Sequence, residues 1–422
     1  MSPKRQITVI NLYYNYFMRE MCFKQTLEYV FCQCGNKKNN LSTVKETALK
    51  MGLLSVGYPA VHITGTNGKG TAATLLAEML RQNGIKTGLF ISPHLKTPLE
   101  RIQINGKNIS AGQFVCAVKA VKEAQNGTLN FFEILTLAAL YIFKKNKVRA
   151  AVFECGLGGL LDATNIINPA LSIITSVDLD HCSILGTTLK QIAEQKAGII
   201  KASAPVLAGK VKKEVLGVIK AKAIAEKTKI LPLGAITCFK QDFNKISASF
   251  IWNKKVFKTN FISKLQNYNV VLALKAALFL GADIKICQKV CRSFKMPYRF
   301  EVAVLDKTRF MLKDGAHNPA ALKDFLQNYK KSKFYSPDNT LVFAASKGHN
   351  FKELCNLVKP YFKNIVLTCP NTLRNISQEE MLPLFKHKKV SILRDISAFS
   401  YKNYQNNIIV CGSFYLADLP LG

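Results

Sequence analysis

Acidic residues are scarce in this 422-residue chain: 26 Asp and Glu stand against 59 Lys and Arg, a formal net charge of +33. A surface so short of negative charge draws polyanions, which admits nucleic acid, nucleotide phosphates and carboxylate-rich substrates as partners. Nucleic acid finds no further support. No basic run exceeds a few residues, and none alternates with aromatics in the manner of a nucleic-acid platform. A codon bias toward Lys, Asn and Ile accounts for the excess charge. Missing too is any uncharged stretch of about 20 apolar residues, so no membrane-spanning helix is expected. The 12 cysteines are scattered. Cys32-Gln33-Cys34 has no second pair or His pair at zinc spacing, which fits a reduced, intracellular protein with buried thiols. Lys4-Arg5 precede a partly apolar run from Ile7 to Met18, but two asparagines interrupt it, Arg19-Glu20 follow and no small-residue cleavage site appears. The expectation is a cytoplasmic enzyme with a dispensable extension over 1–22 and Met18 or Met21 as alternative starts. Internal repeats and low-complexity segments are lacking as well.

What is present is a globular composition, 48% hydrophobic with 24 Gly and 14 Pro, in a length that suits two or three domains. Helical periodicity runs around Leu27, Val30 and Phe31 and again at Val44, Ala48 and Leu49. Apolar runs then alternate with helical patterns. Strands are expected at Ala60–Ile63, Thr87–Ile91, Ala150–Glu154, Leu171–Val177 and Val206–Leu207, with a further short one at Asp178–Asp180. Phe250–Phe257 reads as an edge hairpin strand. A second series follows Phe294-Lys295-Met296-Pro297, with strands near 302–305, 309–313, 340–344, 364–368 and 408–411. Strand–helix alternation argues for parallel α/β sheets. The predicted architecture is a P-loop parallel-sheet ATPase domain over 23–290, a linker over 291–298, and a smaller Rossmann-like α/β domain over 299–422.

Between the first strand and its helix lies Gly65-Thr66-Asn67-Gly68-Lys69-Gly70-Thr71. Glycines let backbone N–H groups converge on phosphate oxygens, the helix N-terminus adds positive potential, Lys69 supplies a point charge, and a hydroxyl can reach Mg²⁺. The spacing is not the ordinary Walker A: one residue fewer precedes the lysine, and an extra glycine follows it. Glu154 closes a predicted strand at the crevice where α/β sheets bind ligands. A lone strand-end Glu is commonly a cap or an ion-pair partner, but Gly156, Gly158 and Gly159 after it permit close approach of backbone to ligand. His181 is, from the residues alone, either a surface histidine or a neutral-imidazole metal ligand.

The chain resembles the Mur ligase superfamily, and within it the dihydrofolate synthase/folylpolyglutamate synthase family, from about residue 24 to 416. The resemblance rests on nine blocks in order, including His62 to Thr71, Ser92-Pro93-His94-Leu95 with Glu100-Arg101-Ile102, and Phe132-Glu133. It continues through Glu154 to Gly159 with Asp162-Ala163-Thr164-Asn165, Asp180 to Gly186, Lys196 to Lys201, Arg299-Phe300-Glu301, Asp314 to Pro319 and Cys411-Gly412-Ser413. It implies ATP-driven amide formation. A carboxylate is phosphorylated to an acyl phosphate, and the α-amine of L-glutamate displaces phosphate. The acceptor is dihydropteroate, a reduced folate carrying a glutamate tail, or both. This places the chain in folate biosynthesis and one-carbon metabolism.

The resemblance also implies two Mg²⁺ sites, with Glu154, Ser92 and Thr71 at the first and His181 at the second, and a carbamylated Lys196 that helps hold metal. It assigns Asn269, Arg299, Asp314 and His317 with the loop to ATP. Ser92, Pro93, His94, Arg101, Phe132, Glu133, Asp162 and Ser413 fall to the other substrates. The sequence departs from the family at Leu265, where a His is frequent, and at Gly348, where an acidic residue commonly follows the lysine. A peptidoglycan-precursor ligase on the same scaffold needs a further N-terminal domain, for which the chain ahead of Gly65 is too short. The expected partners are small molecules only, with no nucleic acid or membrane, and the expected state is a monomer.

Overall fold

The computed structural model describes residues 21–33, 40–202, 204–370 and 375–419. The expected extension thus lies outside the described residues up to residue 20, while residues 21 and 22 open a helix over 21–32. Eight strands form the first sheet: β1 (Ala60–Thr64), β2 (Thr87–Phe90), β3 (Ile102–Ile104), β4 (Lys107–Asn108), β5 (Ala150–Glu154), β6 (Leu171–Ile174), β7 (Val206–Ala208) and β8 (Ile230–Leu231). Their order is β4-β3-β2-β5-β1-β6-β7-β8, parallel from β2 to β8 with β3 and β4 as an antiparallel edge.

β1 lies at the centre and is buried along its whole length. Its alternate residues serve two layers, as the two-residue period of a strand requires. Val61 and Ile63 join the core with helices Lys69–Gln82, Lys264–Phe279 and Ile284–Ser293, whereas Ala60 joins the core with helices Ser42–Lys50, Ala111–Ala124 and Phe131–Lys145. Covering both faces explains why these strands read as unbroken apolar runs.

The segment expected as one edge strand over Phe250–Phe257 is instead two strands of a separate antiparallel sheet. It consists of β9 (Thr237–Asp242), β10 (Ser247–Trp252) and β11 (Lys255–Thr259) in the order β11-β10-β9. The turn at Asn253-Lys254 has positive φ at both residues (46° and 60°), the mirror-image geometry that matches strand twist in two-residue hairpins. Phe250, Trp252 and Phe257 face inward and extend the first core.

A second sheet of six strands follows: β12 (Glu301–Val304), β13 (Phe310–Lys313), β14 (Thr340–Phe343), β15 (Asn364–Thr368), β16 (Lys389–Leu393) and β17 (Ile408–Cys411). The order is β12-β13-β17-β14-β15-β16, parallel except for β12. The mostly exposed edge strand β16, with Val390, Ile392 and Leu393, is not among the expected strands. The doubly covered α/β reading is what the structure shows. Among the described residues, no helix is long and apolar enough to cross a membrane, and every cysteine is a free thiol.

The strand expected at Asp178–Asp180 is absent, because β6 ends at Ile174. The chain beyond has passed the sheet edge and bonds the phosphate loop. The Thr175 hydroxyl donates to the Asn67 carbonyl (2.7 Å), the Asn67 amide to Ser176 Oγ (2.9 Å) and the Asp178 amide to Thr66 Oγ1 (3.1 Å).

Beneath the site, His62 is fully buried, its Nε2 2.7 Å from Thr164 Oγ1 and 3.1 Å from Cys155 Sγ. Burial, reinforced by the Lys201 charge, lowers its pKa to about 3. The folded value lies below the unfolded one of about 6.5, so the unfolded state takes up the proton first on acidification. The neutral His62 contributes its full stability above about pH 6.5 and loses it progressively toward pH 3. A urea-midpoint series over that range should show wild type falling more steeply than His62→Gln. Equal slopes would contradict the account.

Candidate active site

The phosphate loop leaves β1 and turns into the helix Lys69–Gln82 at Gly68, whose φ of 87° is left-handed. A Cβ at Gly68 would collide with the Asn269 carboxamide, so glycine is required on both counts. Lys69 folds back over the loop, its Nζ donating to the Gly65 carbonyl (3.0 Å) and the Thr66 carbonyl (3.3 Å). The buried Thr71 hydroxyl has no hydrogen-bond partner among the described residues. A charged amine, helix-start amides and an unsatisfied hydroxyl converge there, which is a cradle for an anion and its counter-cation.

Glu154, at the end of β5, faces this loop. A Cβ at Gly70 would lie 3.5 Å from its carboxylate, and Oε2 accepts from the Ser92 amide (3.0 Å). Burial pushes its pKa up to about 7, against the pull of Lys69, the Ser92 amide, Arg101 and Arg299. The Ser92–Pro93 peptide is cis.

Lys196 sits near the end of the helix Leu189–Ala197, which opens with a capping box between Thr188 and Gln191. A lysine among Ala, Ile and Gln ordinarily reaches solvent; this one is 3% exposed. Burial, with the Lys69 charge next, lowers its pKa to about 7. The Asp180 and Asp162 charges offset this only in part. Burial and the Lys69 charge both favour the neutral amine over the cation, relative to a solvent-exposed lysine.

The second sheet closes over this floor. Asn318 and Asn67 exchange side-chain hydrogen bonds (2.9 and 3.2 Å), and Asn318 also donates to Asp180 Oδ2 (3.0 Å). A cleft between the units is lined by Asn67, Gly68, Asn269, Arg299, Asp314 and His317. Asp314 accepts from the Phe300 and Ala316 amides (both 2.9 Å), and burial raises its pKa to about 6 against the Arg299 charge. The Arg299 Nε is buried without a partner among the described residues. His317 Nδ1 lies 2.8 Å from the Gly315 carbonyl, and burial lowers its pKa to about 4. Ser413 follows β17, its hydroxyl 3.4 Å from that of Ser346.

His181 has a left-handed φ of 50° and a ring centroid 4.8 Å from that of His349. The sequence reading gives His349 no role and names Asp180 only at the head of the Asp180–Gly186 block. The available signal was the departure at Gly348, where φ is +96° and a Cβ would lie 3.2 Å from His181 Nδ1.

On the other flank, Arg101 Nε donates to His94 Nδ1 (2.7 Å), and its guanidinium lies 5.1 Å from the Phe131 ring centroid. Phe31, also missed from sequence, stacks on Phe131 at 5.4 Å. Phe132 packs under Gly156 and against Phe90, Glu133 closes the Asn130 capping box, and Asp162 accepts from the Leu157 and Thr164 amides.

A phosphate-loop sheet domain with a metal-ready carboxylate, closed by a second α/β unit, defines a Mur-type ligase architecture, and the Mur ligase middle domain family matches residues 63–277. A dihydrofolate synthase/folylpolyglutamate synthase of Buchnera aphidicola is 31% identical over 401 residues, covering 89% of this chain and 92% of that protein. The chain belongs to the dihydrofolate synthase/folylpolyglutamate synthase family. In fold it is similar to Mycobacterium tuberculosis folylpolyglutamate synthase complexed with ADP and AMPPCP (TM-score 0.84, 23% identity, 94% of this chain and 97% of that one). It is similar also to the bifunctional synthase of Yersinia pestis complexed with AMPPNP and Mn (TM-score 0.80, 23% identity, 94% and 96%).

Proposed function

We propose that this protein is an ATP-dependent ligase that adds L-glutamate to dihydropteroate, to reduced folates with glutamate tails, or to both, as a cytoplasmic monomer. The observation that carries this reading is the half-buried phosphate-loop Lys69 beside the buried Glu154 and Lys196, near enough that its charge acts on both. Residues 23–290 act as the nucleotide-binding unit and 299–422 as the unit that closes on it. The loop amides and Lys69 bind the ATP phosphates, while Arg299, Asn269, Asp314 and His317 hold the nucleotide from above. Arg299 has a free buried donor for a phosphate oxygen. His94, Arg101 and Phe131 flank the acceptor, and Ser413 orients glutamate.

The unpartnered Thr71 hydroxyl and the Glu154 carboxylate suit a hard divalent cation, so Glu154, Thr71 and Ser92 would hold one Mg²⁺ and His181 with a carbamylated Lys196 a second. When bound, the ions neutralise charge on the phosphates. Closure excludes water while the acceptor carboxylate takes the γ-phosphoryl group and the glutamate amine displaces phosphate.

Purified protein with ATP, Mg²⁺ and labelled glutamate, given dihydropteroate or a reduced folate, tests the reading and separates the two acceptor activities. No incorporation with either acceptor would overturn it. Glu154→Gln and His181→Ala should each shift the magnesium titration midpoint upward and suppress turnover. An unchanged midpoint and rate in both would move the metal site elsewhere.

A further inference from the structure

The cleft between the units is lined not only by the loop and its neighbours but also by Ser263, Asp324 and Asn328. Two helices that touch the loop lead there. Asn269 abuts Gly68, and Ser263 caps the same helix, Lys264–Phe279. Asn318 bonds Asn67 and caps the helix Pro319–Lys331, which carries Asp324. At about 1.5 Å per residue, Ser263 lies about 9 Å from Asn269 and Asp324 about 9 Å from Asn318, a span on the scale of one nucleoside. At that distance the two meet, the Ser263 hydroxyl bonding the Asp324 carboxylate. The groups around Asp324 are committed. Ser263 Oγ accepts from the Leu265 and Gln266 amides (3.1 and 3.3 Å), so its hydrogen is left for the carboxylate. Asn328 Nδ2 donates to the Asp324 carbonyl (2.8 Å) and carboxylate (3.3 Å), and its Oδ1 accepts from Gln241 (2.8 Å).

We propose that Asp324 sets the choice of nucleobase, its carboxylate accepting from the exocyclic amine of adenine and turning away the oxygen that guanine carries at that position. This rests on the reading of the cleft as an ATP site. Phosphates are drawn to the loop amides, Lys69 and Arg299, so a nucleotide lying along the cleft turns its base toward Ser263 and Asp324. An ionised carboxylate accepts and cannot donate, and two bonds leave it lone pairs to spare. Burial opposes the charge, whereas the bonds from Ser263 and Asn328 support it. Guanine would need a donor for its oxygen beside the carboxylate. Asn328 does not supply one, because its amide is spent on Asp324 and its oxygen on Gln241. A buried acceptor left facing a base without the amine, or facing a second acceptor, goes unpaired and costs affinity.

The test is calorimetric titration of the full chain with Mg²⁺ and a nucleotide, without acceptor or glutamate. Three nucleotides are compared: ATP, GTP and purine riboside triphosphate, which is ATP without the exocyclic amine. Wild type should bind ATP about tenfold or more tighter than purine riboside triphosphate. Asp324→Ala should bring that ratio close to one. Asp324→Asn keeps the bond from Ser263 and can turn an N–H toward guanine, so it should raise GTP affinity relative to ATP by about tenfold. A gain of GTP binding cannot come from misfolding. Equal affinity of wild type for ATP and purine riboside triphosphate, or an unchanged ATP-to-GTP ratio in Asp324→Asn, would overturn the proposal and leave the ligase reading standing. Failure of wild type to bind any of the three would overturn both.

Discussion

Lys69→Ala is expected to abolish glutamate incorporation while leaving the fold intact. Among the described residues the Lys69 amine donates to two loop carbonyls, at 3.0 and 3.3 Å, contacts that phosphate oxygens would replace on the proposed reading. Loss of one pre-placed donor to developing charge typically costs about 10²–10³ in rate, or about 2.7–4 kcal/mol. Lys69 also faces Glu154, whose buried carboxylate it helps keep charged, so its removal weakens phosphate binding and the carboxylate together. Circular dichroism and thermal melting should match wild type, because no ion pair of the core depends on it. Near-normal turnover in a correctly folded Lys69→Ala protein would remove ATP from the loop.

The second large effect is expected at Lys196, where Arg should damage activity as severely as Ala. A cation at this depth is disfavoured by burial and by Lys69. Carbamylation needs a neutral amine, which the lowered pKa of about 7 makes available, and it turns the side chain into an anion able to bind metal. Arginine keeps the positive charge and cannot be carbamylated. Its larger head also has to enter a site that leaves the lysine 3% exposed. Short carboxylic acids should partly restore Lys196→Ala by filling the anion position. Intact mass of the native protein gives a direct reading, through the mass added by carbon dioxide. An active Lys196→Arg enzyme, or an unmodified amine in the assembled protein, would sink the idea.

Much of the nucleotide floor was legible because its determinants are local. A strand, a loop of three glycines with Lys69, and a helix are contiguous, and their conformations follow from residue type. Glu154 was legible for a similar reason, since a carboxylate closing an apolar run falls at the C-terminal end of its strand, here β5 in the interior of the sheet. The burial of Lys196 was not, because a lysine on the face of Ile192, Ala193 and Ala197 reads as an interruption of that face, and only packing against the helix Lys213–Ala225 decides how deeply the face is covered. Phe250–Phe257 misled for the opposite reason. Its apolar residues alternate across a two-residue turn at Asn253-Lys254, and only pairing with β9 shows that two strands are present.

The limits of local reading are clearest at the domain interface. Order and type of the elements, the phosphate loop and the family resemblance all follow from the amino-acid order, because they depend on residues a few positions apart. That His349 meets Asp180 across 169 positions, that Asn318 meets Asn67 across 251, and that Phe31 stacks on Phe131 are products of tertiary packing. Such contacts leave no periodic trace in the chain. Each partner lies in a loop or at a helix end, where apolar patterning is silent and position is set by how two sheets and their helices settle against each other.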